Sequence, residues 1–341
     1  MKKLNLNIQG LRGVCALMVF GGHVTAAFDN PWLYSQYNPL RALLDGHAAV
    51  IFFFMLSGYF YYTNQCISLK KYAKLLVKRV LHLTPPYWLS IVIGAMLCNY
   101  FFAEGISAGG YASEWMRDFW QEPVTLNKFL ADASIVMRRG ASFTFINPPS
   151  WYLTSDFKAM LVIPLVILFL NKSKWMFAPV IIIAMVVFAK YWFLGIFLMG
   201  AILHKYQNTV FALYDKYKIL VPLVAILGFV LWEVDALVYR PNYENVREAC
   251  CMEMLEAFGM LLLLSVILQC KELPILSSKP LVYMGKISYE FYIIHFMLLI
   301  GLIPFISNYW LYIALCLVGS LLMAILLRKV VGLIPYQKIL K

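Results

Sequence analysis

The chain has 341 residues, 62% of them hydrophobic and 13% charged, with a formal net charge of +12. Soluble domains average roughly 45–50% apolar and 25% charged residues, so a water-soluble globule is excluded, and disorder, which needs low hydrophobicity and high charge, is excluded with it. What remains is an all-α polytopic membrane protein, in which a positive balance speaks first of orientation in the bilayer rather than of nucleic acid.

Ten apolar stretches have lengths near those that cross a hydrocarbon core as helices: 8–28, 46–65, 82–103, 150–170, 176–189, 191–204, 218–238, 254–270, 286–305 and 308–327. The first carries Arg12 and His23. Eleven residues apart, these lie within about 20° of each other around a helix and about 16.5 Å apart along it. A cation near one surface and an imidazole far above it suit the two ends of a long anionic ligand; a snorkelling arginine and a packed histidine are the plainer alternative. A signal peptide competes for the same residues, but Arg12, Gly21, Gly22 and His23 interrupt the apolar run it needs.

The second span places Ser57 and Gly58 near the midplane, where a small polar residue serves close helix packing or chemistry. The loop predicted over 66–88 holds Lys70, Lys71, Lys74, Lys78, Arg79 and His82, then Pro85, Pro86 and Tyr87. This densest basic cluster reads as a topology determinant meeting anionic lipid, or as a cradle for phosphates. The third span leads into connector 104–149, whose Tyr111, Trp115, Phe119, Trp120 and Phe129 predict short helices lying against the bundle mouth.

The fourth span carries Asp156 and Lys158. If it enters the membrane at Ser150, Asp156 sits about 9 Å below that surface and His23 about 7.5 Å, so a His–Asp dyad is geometrically allowed. A local Asp156–Lys158 pair is the alternative. Stretches 176–189 and 191–204 are short, as a broken hairpin or inner helices would be. Glu233, Glu253 and Glu256 are further charges in apolar surroundings. The ninth span holds Ser288, Glu290 and His295; Ser288 and His295 share a face, and a histidine packed against a neighbouring helix is the plain reading of His295.

Nineteen of the 29 lysines and arginines fall on the side of the N-terminus and eight on the other, with Arg12 and Lys158 inside spans. The positive-inside rule then places both termini in the cytoplasm, as an even span count does. Seven cysteines, an odd number without a CxxC pair, read as apolar fillers rather than a disulfide framework or metal site. No phosphate-binding glycine loop, HExxH or GxSxG is present, which argues against a nucleotide-driven pump, a zinc protease and a soluble-type hydrolase.

Five blocks in order resemble the integral-membrane acyltransferase-3 family over nearly the whole chain. Gly10-Leu11-Arg12-Gly13 followed by His23 is similar to the family's Arg-(ten residues)-His signature, and Phe52-Phe53-Phe54-Met55-Leu56-Ser57-Gly58-Tyr59 to its FFVLSGF block. Lys78-Arg79-Val80-Leu81-His82 with Pro85 and Tyr87 resembles RRxxRxxPxY, Trp151-Tyr152-Leu153-Thr154-Ser155-Asp156 resembles WSLxxE, and Ser288-Tyr289 through Tyr292 and His295 resembles SYxxYxxH. The chain departs from these patterns with Asp156 for the usual Glu, His82 for the last Arg of the basic block, and Ile51 where an acidic residue often stands.

The resemblance implies one transmembrane domain over 1–341 that transfers an acyl group, usually acetyl, from cytoplasmic acyl-CoA to a hydroxyl of a surface glycan or lipid-linked saccharide. It implies the stand-alone form, without the esterase-like domain that many members carry, in a bacterial cytoplasmic membrane. On this reading Arg12, Lys78, Arg79, His82 and Tyr87 form the donor site. His23 is the general base, Asp156 orients it, and Ser57 lines the channel or polarises the carbonyl. His295, Ser288 and Trp151 are further candidates. Acetyl-CoA is a substrate, and no resident cofactor, metal or nucleic-acid partner is expected. Trp115, Trp120, Arg138 and Arg139 of the connector are expected to read the acceptor, with anchoring at the membrane interface as the equal alternative. The rival classes are a flippase or exporter of a lipid-linked glycan and an inactive sensor; against a carrier, the halves of the chain show no internal repeat.

Overall fold

A computed structural model describes residues 5–28, 39–63, 69–135, 144–172, 178–187, 192–238 and 246–333. Among them the regular structure is helical, with one isolated antiparallel bridge between Phe28 and Ala112. This is what hydrocarbon surroundings demand, because a helix satisfies its backbone hydrogen bonds within itself. Helix α1 spans Leu6–Ala26 and starts at Asn5, whose side chain accepts the Asn7 N–H at 2.9 Å. Then follow α2 (Gly46–Thr63), α3 (Leu69–Glu104), α4 (Glu114–Arg117), α5 (Leu126–Ala133), α6 (Trp151–Lys172), α7 (Ala178–Val187), α8 (Trp192–Lys216), α9 (Val221–Trp232), α10 (Val234–Leu237), α11 (Val246–Gln269), α12 (Lys279–Leu302) and α13 (Tyr309–Gly332).

Five helical stretches among the described residues are long and apolar enough to cross a membrane: Lys71–Glu104, Pro148–Asn171, Glu248–Gln269, Lys279–Leu302 and Tyr309–Gly332. Gly46–Tyr62 and Lys218–Trp232 are shorter apolar helices. The protein is therefore an α-helical integral membrane protein. Helix α1, expected as a span, is not one of the five; its glycines, Arg12 and His23 dilute its hydropathy, and it packs deep between α2 and α12.

The stretch expected as a basic loop is the start of a helix. α3 has 36 residues, about 54 Å of helix against a hydrocarbon core of about 30 Å, and Lys71, Lys74 and Lys78 are exposed on its first turns. Pro85 and Pro86 sit inside it. This end of the bundle, which also holds the start of α1, is the basic end; the opposite one is the connector end.

Glycines set the closest packing, between α1 and α12 and between α2 and α8. A Cβ on Gly13 would overlap the Leu281 carbonyl, and one on Gly285 the Gln9 carbonyl, so α1 and α12 approach backbone to backbone along a parallel pair. α2 lies against the other side of α1 and against α8. α6 packs on α2 and α8 rather than extensively on α1.

The connector departs from expectation. Its short helices form, but the segment does not stay at the bundle mouth. Val124 bonds Asn99 of α3, whereas the Asp132 and Ala133 carbonyls accept from Tyr87 and Trp88. Asn99 and Tyr87 are twelve residues apart on one helix, so the connector descends about 18 Å alongside α3. It is fixed at depth by Asn147, which is fully buried and donates to Ser90 Oγ at 3.0 Å and to the Ile293 carbonyl at 2.7 Å. Re-entrant backbone of this kind is stable only where protein, not lipid, surrounds it.

Candidate functional site

Helix α12 carries Ser288, Tyr292 and His295 at positions i, i+4 and i+7 of one face, and α1 carries Arg12 and His23 on its facing side. Because the two helices run parallel at glycine distance, the stripes meet at two levels. Toward the basic end, Arg12 donates to Ser288 Oγ at 3.0 Å. Toward the connector end, His23 Nδ1 lies 2.8 Å from His295 Nε2. The expected alignment of Arg12 and His23 on one helix face is thus realised.

The tautomers of the two histidines follow from their partners. His295 Nδ1 is 2.7 Å from the Tyr292 carbonyl, which can only accept, so that nitrogen carries a hydrogen. In the neutral ring Nε2 is then a lone pair, and His23 Nδ1 must donate to it. The rings lie 5° from coplanar with centroids 5.2 Å apart, the separation of two imidazoles meeting edge to edge across that bond. His23 Nε2 is left as a lone pair with no hydrogen-bond partner among the described residues, on a ring that is partly exposed. A neutral imidazole held in one tautomer with an unengaged nitrogen is a general base in waiting.

Asp156 is not its orienting group. Its two oxygens take Nη2 of Arg79 at 3.0 and 2.9 Å, and Tyr61 donates to Oδ1 at 3.3 Å. A fourth span that entered at the membrane surface would hold Asp156 at the depth of His23. In fact α6 begins where the re-entrant connector ends, inside the bundle, and this carries Asp156 down toward the basic end. There Tyr72 of α3 bonds the Leu161 carbonyl, and Arg79 lies two turns further along α3. Nor does Asp156 pair with Lys158, which is exposed.

Arg12, Ser57, Arg79, His82, Tyr152, Asp156, Ser288, Tyr289 and Tyr292 line one cavity of about 230 Å³, together with apolar residues such as Phe53 and Phe60. Ser57 Oγ accepts from Arg79 at 3.3 Å, and the Arg79 guanidinium stacks over Tyr61 at 5.1 Å from its centroid. Two guanidiniums thus face one carboxylate, and Arg12 spends its bond on a neutral hydroxyl. Glu290 acts on Arg12 from outside the lining but is itself paired with Arg328 at 3.6 Å, so the cations keep their excess, and a chamber of that charge favours an anionic occupant. Tyr292 joins the two levels, since its ring lines the cavity and its carbonyl holds His295.

The remaining predicted residues are placed as follows. His82 reaches the cavity rim from an exposed position. Lys78, expected in the donor site, is exposed and outside the lining, because the helical turn that aims Arg79 inward aims its neighbour away. Tyr87, also expected there, is fully buried with its hydroxyl on the Asp132 carbonyl at 3.0 Å, and so it anchors the connector. Trp151 packs edge-on against Phe54 outside the lining. Arg138 and Arg139 lie outside the described residues. Glu233, Glu253 and Glu256 gather elsewhere, near Asp45, His47 and Asp235, with His47 on Glu253 at 3.0 Å and Arg41 on Asp235 at 3.2 Å. No group of three or more His, Cys, Asp or Glu that could hold a metal occurs among the described residues.

Tyr61 escaped sequence reasoning, and Tyr152 and Tyr292 entered it only as members of family blocks, without a role of their own. A signal was available, because Tyr61 follows Ser57 by four residues, Tyr152 precedes Asp156 by four and Tyr292 follows Ser288 by four, one helical turn in each case.

The chain matches the acyltransferase-3 family, characterised as an acyltransferase domain, over residues 5–329. Comparison with curated proteins and with solved structures gives no significant match. The matched stretch runs from the start of α1 to the last turn of α13 and takes in the cavity and both histidines. The chain therefore belongs to the acyltransferase-3 family, and its activity is that of an acyltransferase.

Proposed function

We propose that the protein transfers an acyl group, acetyl in the first instance, from cytoplasmic acyl-CoA to a hydroxyl of an extracytoplasmic glycan or lipid-linked saccharide. In this reading it sits in a bacterial cytoplasmic membrane, with both termini and the basic end in the cytoplasm. The observation that carries the proposal is the His23–His295–Tyr292 relay, which leaves one unprotonated nitrogen free above a chamber of surplus positive charge.

Coenzyme A phosphates enter at the basic end, where Arg12 and Arg79 supply charge-assisted hydrogen bonds and His82 stands at the rim. Lys78 contributes field rather than contact. The thioester rises along the Arg12 and Ser288 faces past Tyr292. His23 Nε2 takes the proton of the acceptor hydroxyl as its oxygen attacks the thioester carbonyl. The C–S bond breaks on collapse of the tetrahedral adduct, and the thiolate leaves with the proton from His23. General-base assistance of this kind is typically worth about 10²–10⁴ in rate. His295 and the Tyr292 carbonyl stabilise the charged imidazole and hold its plane. Asp156 holds Arg79 in place, and Ser57 braces the same guanidinium.

The test is reconstitution in vesicles with acetyl-CoA on the basic side and saccharide acceptor on the other, with CoA release and acetyl ester both measured. The proposal expects both products from the wild type and neither from His23→Ala. Acetylation that persists undiminished in His23→Ala would sink it. In cells, mass spectrometry of the surface polysaccharide should show acetyl groups disappear with the gene; loss of the polymer itself would favour transport instead.

A further inference from the structure

His23 is flanked on the connector side by Trp115, a residue expected from the sequence to read the acceptor but given no part in the acyl-transfer steps above. Trp115, on the four-residue helix α4, lies 5.9 Å from His23 between ring centroids and 24° from parallel. Phe296 stands edge-on to both rings, at 5.2 Å from His23 and 5.7 Å from Trp115. Phe119 crosses Trp115 at 4.9 Å and Phe296 at 5.0 Å. With His295 on its Nδ1 edge, His23 therefore sits in an aromatic box whose connector-side wall is Trp115.

The position of that wall is fixed relative to His23. Ser113 N–H donates to the Ala27 carbonyl at 2.9 Å and Ser113 Oγ to the Ala26 carbonyl at 2.6 Å, and Ala112 bridges Phe28. These tie α4 to the end of α1 within one turn of His23. The Ser113 side chain also caps α4 through the Met116 N–H at 3.1 Å. Trp120 is held at φ 55°, a left-handed conformation that strains a bulky residue, with its indole N–H on the Ile146 carbonyl at 3.0 Å. Backbone held under such strain marks a collar whose shape is over-determined. Within this collar Phe119 and Trp120 are buried at 8% and 9% exposure, whereas Trp115 is 38% exposed. Trp115 is thus a large aromatic ring with one side on the base and another open to the connector side.

We infer that Trp115 is the gate and positioning residue on the acceptor side of His23. It shields the Nε2 lone pair from water while no acceptor is present, and it yields that place to the acceptor ring, which it then holds over the base. The role of acceptor positioning rests on the acyl-transfer reading, while the role of shielding does not.

Diethyl pyrocarbonate tests the shielding directly on the full-length protein in detergent micelles or vesicles. An unprotonated imidazole nitrogen attacks one of its carbonyls, an N–C bond forms, and the C–O bond to the leaving carbonate breaks, releasing carbon dioxide and ethanol. Labelling of His23, followed by mass spectrometry, should be slow in the wild type and several-fold faster in Trp115→Ala. Trp115→Phe should stay near wild type. His82, exposed at the basic end, is the internal reference and should label at one rate throughout.

In the vesicle assay, Trp115→Ala should raise the acceptor KM and increase CoA release without acceptor, at unchanged acetyl-CoA KM. A His23 labelling rate that is the same in wild type and Trp115→Ala overturns the inference and makes Trp115 a membrane-interface anchor. A wild type that labels as predicted but transfers no acetyl group refutes the acyl-transfer reading and leaves the gate standing.

Discussion

His23 Nδ1 donates to His295 Nε2 across 2.8 Å, between two parallel helices whose sequences lie 272 residues apart. The far end of the bond is pinned: His295 Nδ1–H is committed to the Tyr292 carbonyl one turn back on its own helix. His295→Ala should lower the acyl-transfer rate by about 10²-fold while leaving the acyl-CoA KM within a factor of two. His295→Gln, whose amide oxygen can accept from His23, should recover part of the loss. Steady-state kinetics on the three proteins decides this, and a His295→Ala variant with full turnover removes the relay.

In the Arg79–Asp156 pair the carboxylate is buried and the guanidinium partly so, and both carboxylate oxygens meet one nitrogen. Deleting one partner strands the other, which costs about 3–5 kcal/mol in comparable sites. Asp156→Ala should therefore lower the thermal unfolding midpoint in detergent sharply, more than Asp156→Asn. The double variant Arg79→Met/Asp156→Leu should regain most of the stability yet bind acyl-CoA poorly. A double variant with unimpaired donor binding would remove Arg79 from the donor site.

Among the described residues Arg12 has one side-chain hydrogen bond, to Ser288 Oγ, and its guanidinium lines the cavity. A hydrogen bond to a charged partner contributes about 1.5–3 kcal/mol. Arg12→Ala should therefore weaken acyl-CoA binding by roughly 10- to 150-fold by the relation of 1.4 kcal/mol to a decade. Ser288→Ala should cost less, since it removes a neutral acceptor. Calorimetric titration with a non-hydrolysable acyl-CoA measures both, and equal affinities in wild type and Arg12→Ala contradict the assignment.

Tyr87 separates structural from donor-site roles. Its hydroxyl bonds the Asp132 carbonyl deep beside α3. Tyr87→Phe should lose about 1 kcal/mol of stability with no change in acyl-CoA KM. A raised KM at unchanged stability would return Tyr87 to the donor site.

Gly285 sets the distance that makes the His23–His295 bond reachable. Gly285→Ala forces its Cβ onto the Gln9 carbonyl, an overpacking that costs about 1–3 kcal/mol. It should lower both the unfolding midpoint and the turnover, and a cysteine pair placed across α1 and α12 should cross-link more slowly in this background.

The aligned stripe of Arg12 and His23 was legible because helical periodicity is a local property, and so was the stripe of Ser288 and His295. The basic cluster was legible as charge but not as helix. Lys78 and Arg79 are neighbours in sequence, and only the turn between them decides that one faces the cavity and the other does not. The pairing of Asp156 was not legible at all, because the depth at which α6 starts depends on a connector that folds back into the bundle through Tyr87, Trp88 and Asn147. Hydrogen bonds of that kind link residues tens of positions apart and leave no periodic trace.

By itself, then, the sequence determined the solvent, the helical class and a short set of polar residues, since 62% apolar composition and one-face spacing act residue by residue. It also carried the family blocks. Tertiary structure decided which of those residues meet. Glycine-depth contact between α1 and α12 gave His23 a histidine as its partner, and the re-entrant connector gave Asp156 to Arg79. The physical reason is that a charge or lone pair in a membrane protein must be satisfied by whatever packing brings within hydrogen-bond reach, and packing between distant helices is set by steric fit over the whole bundle.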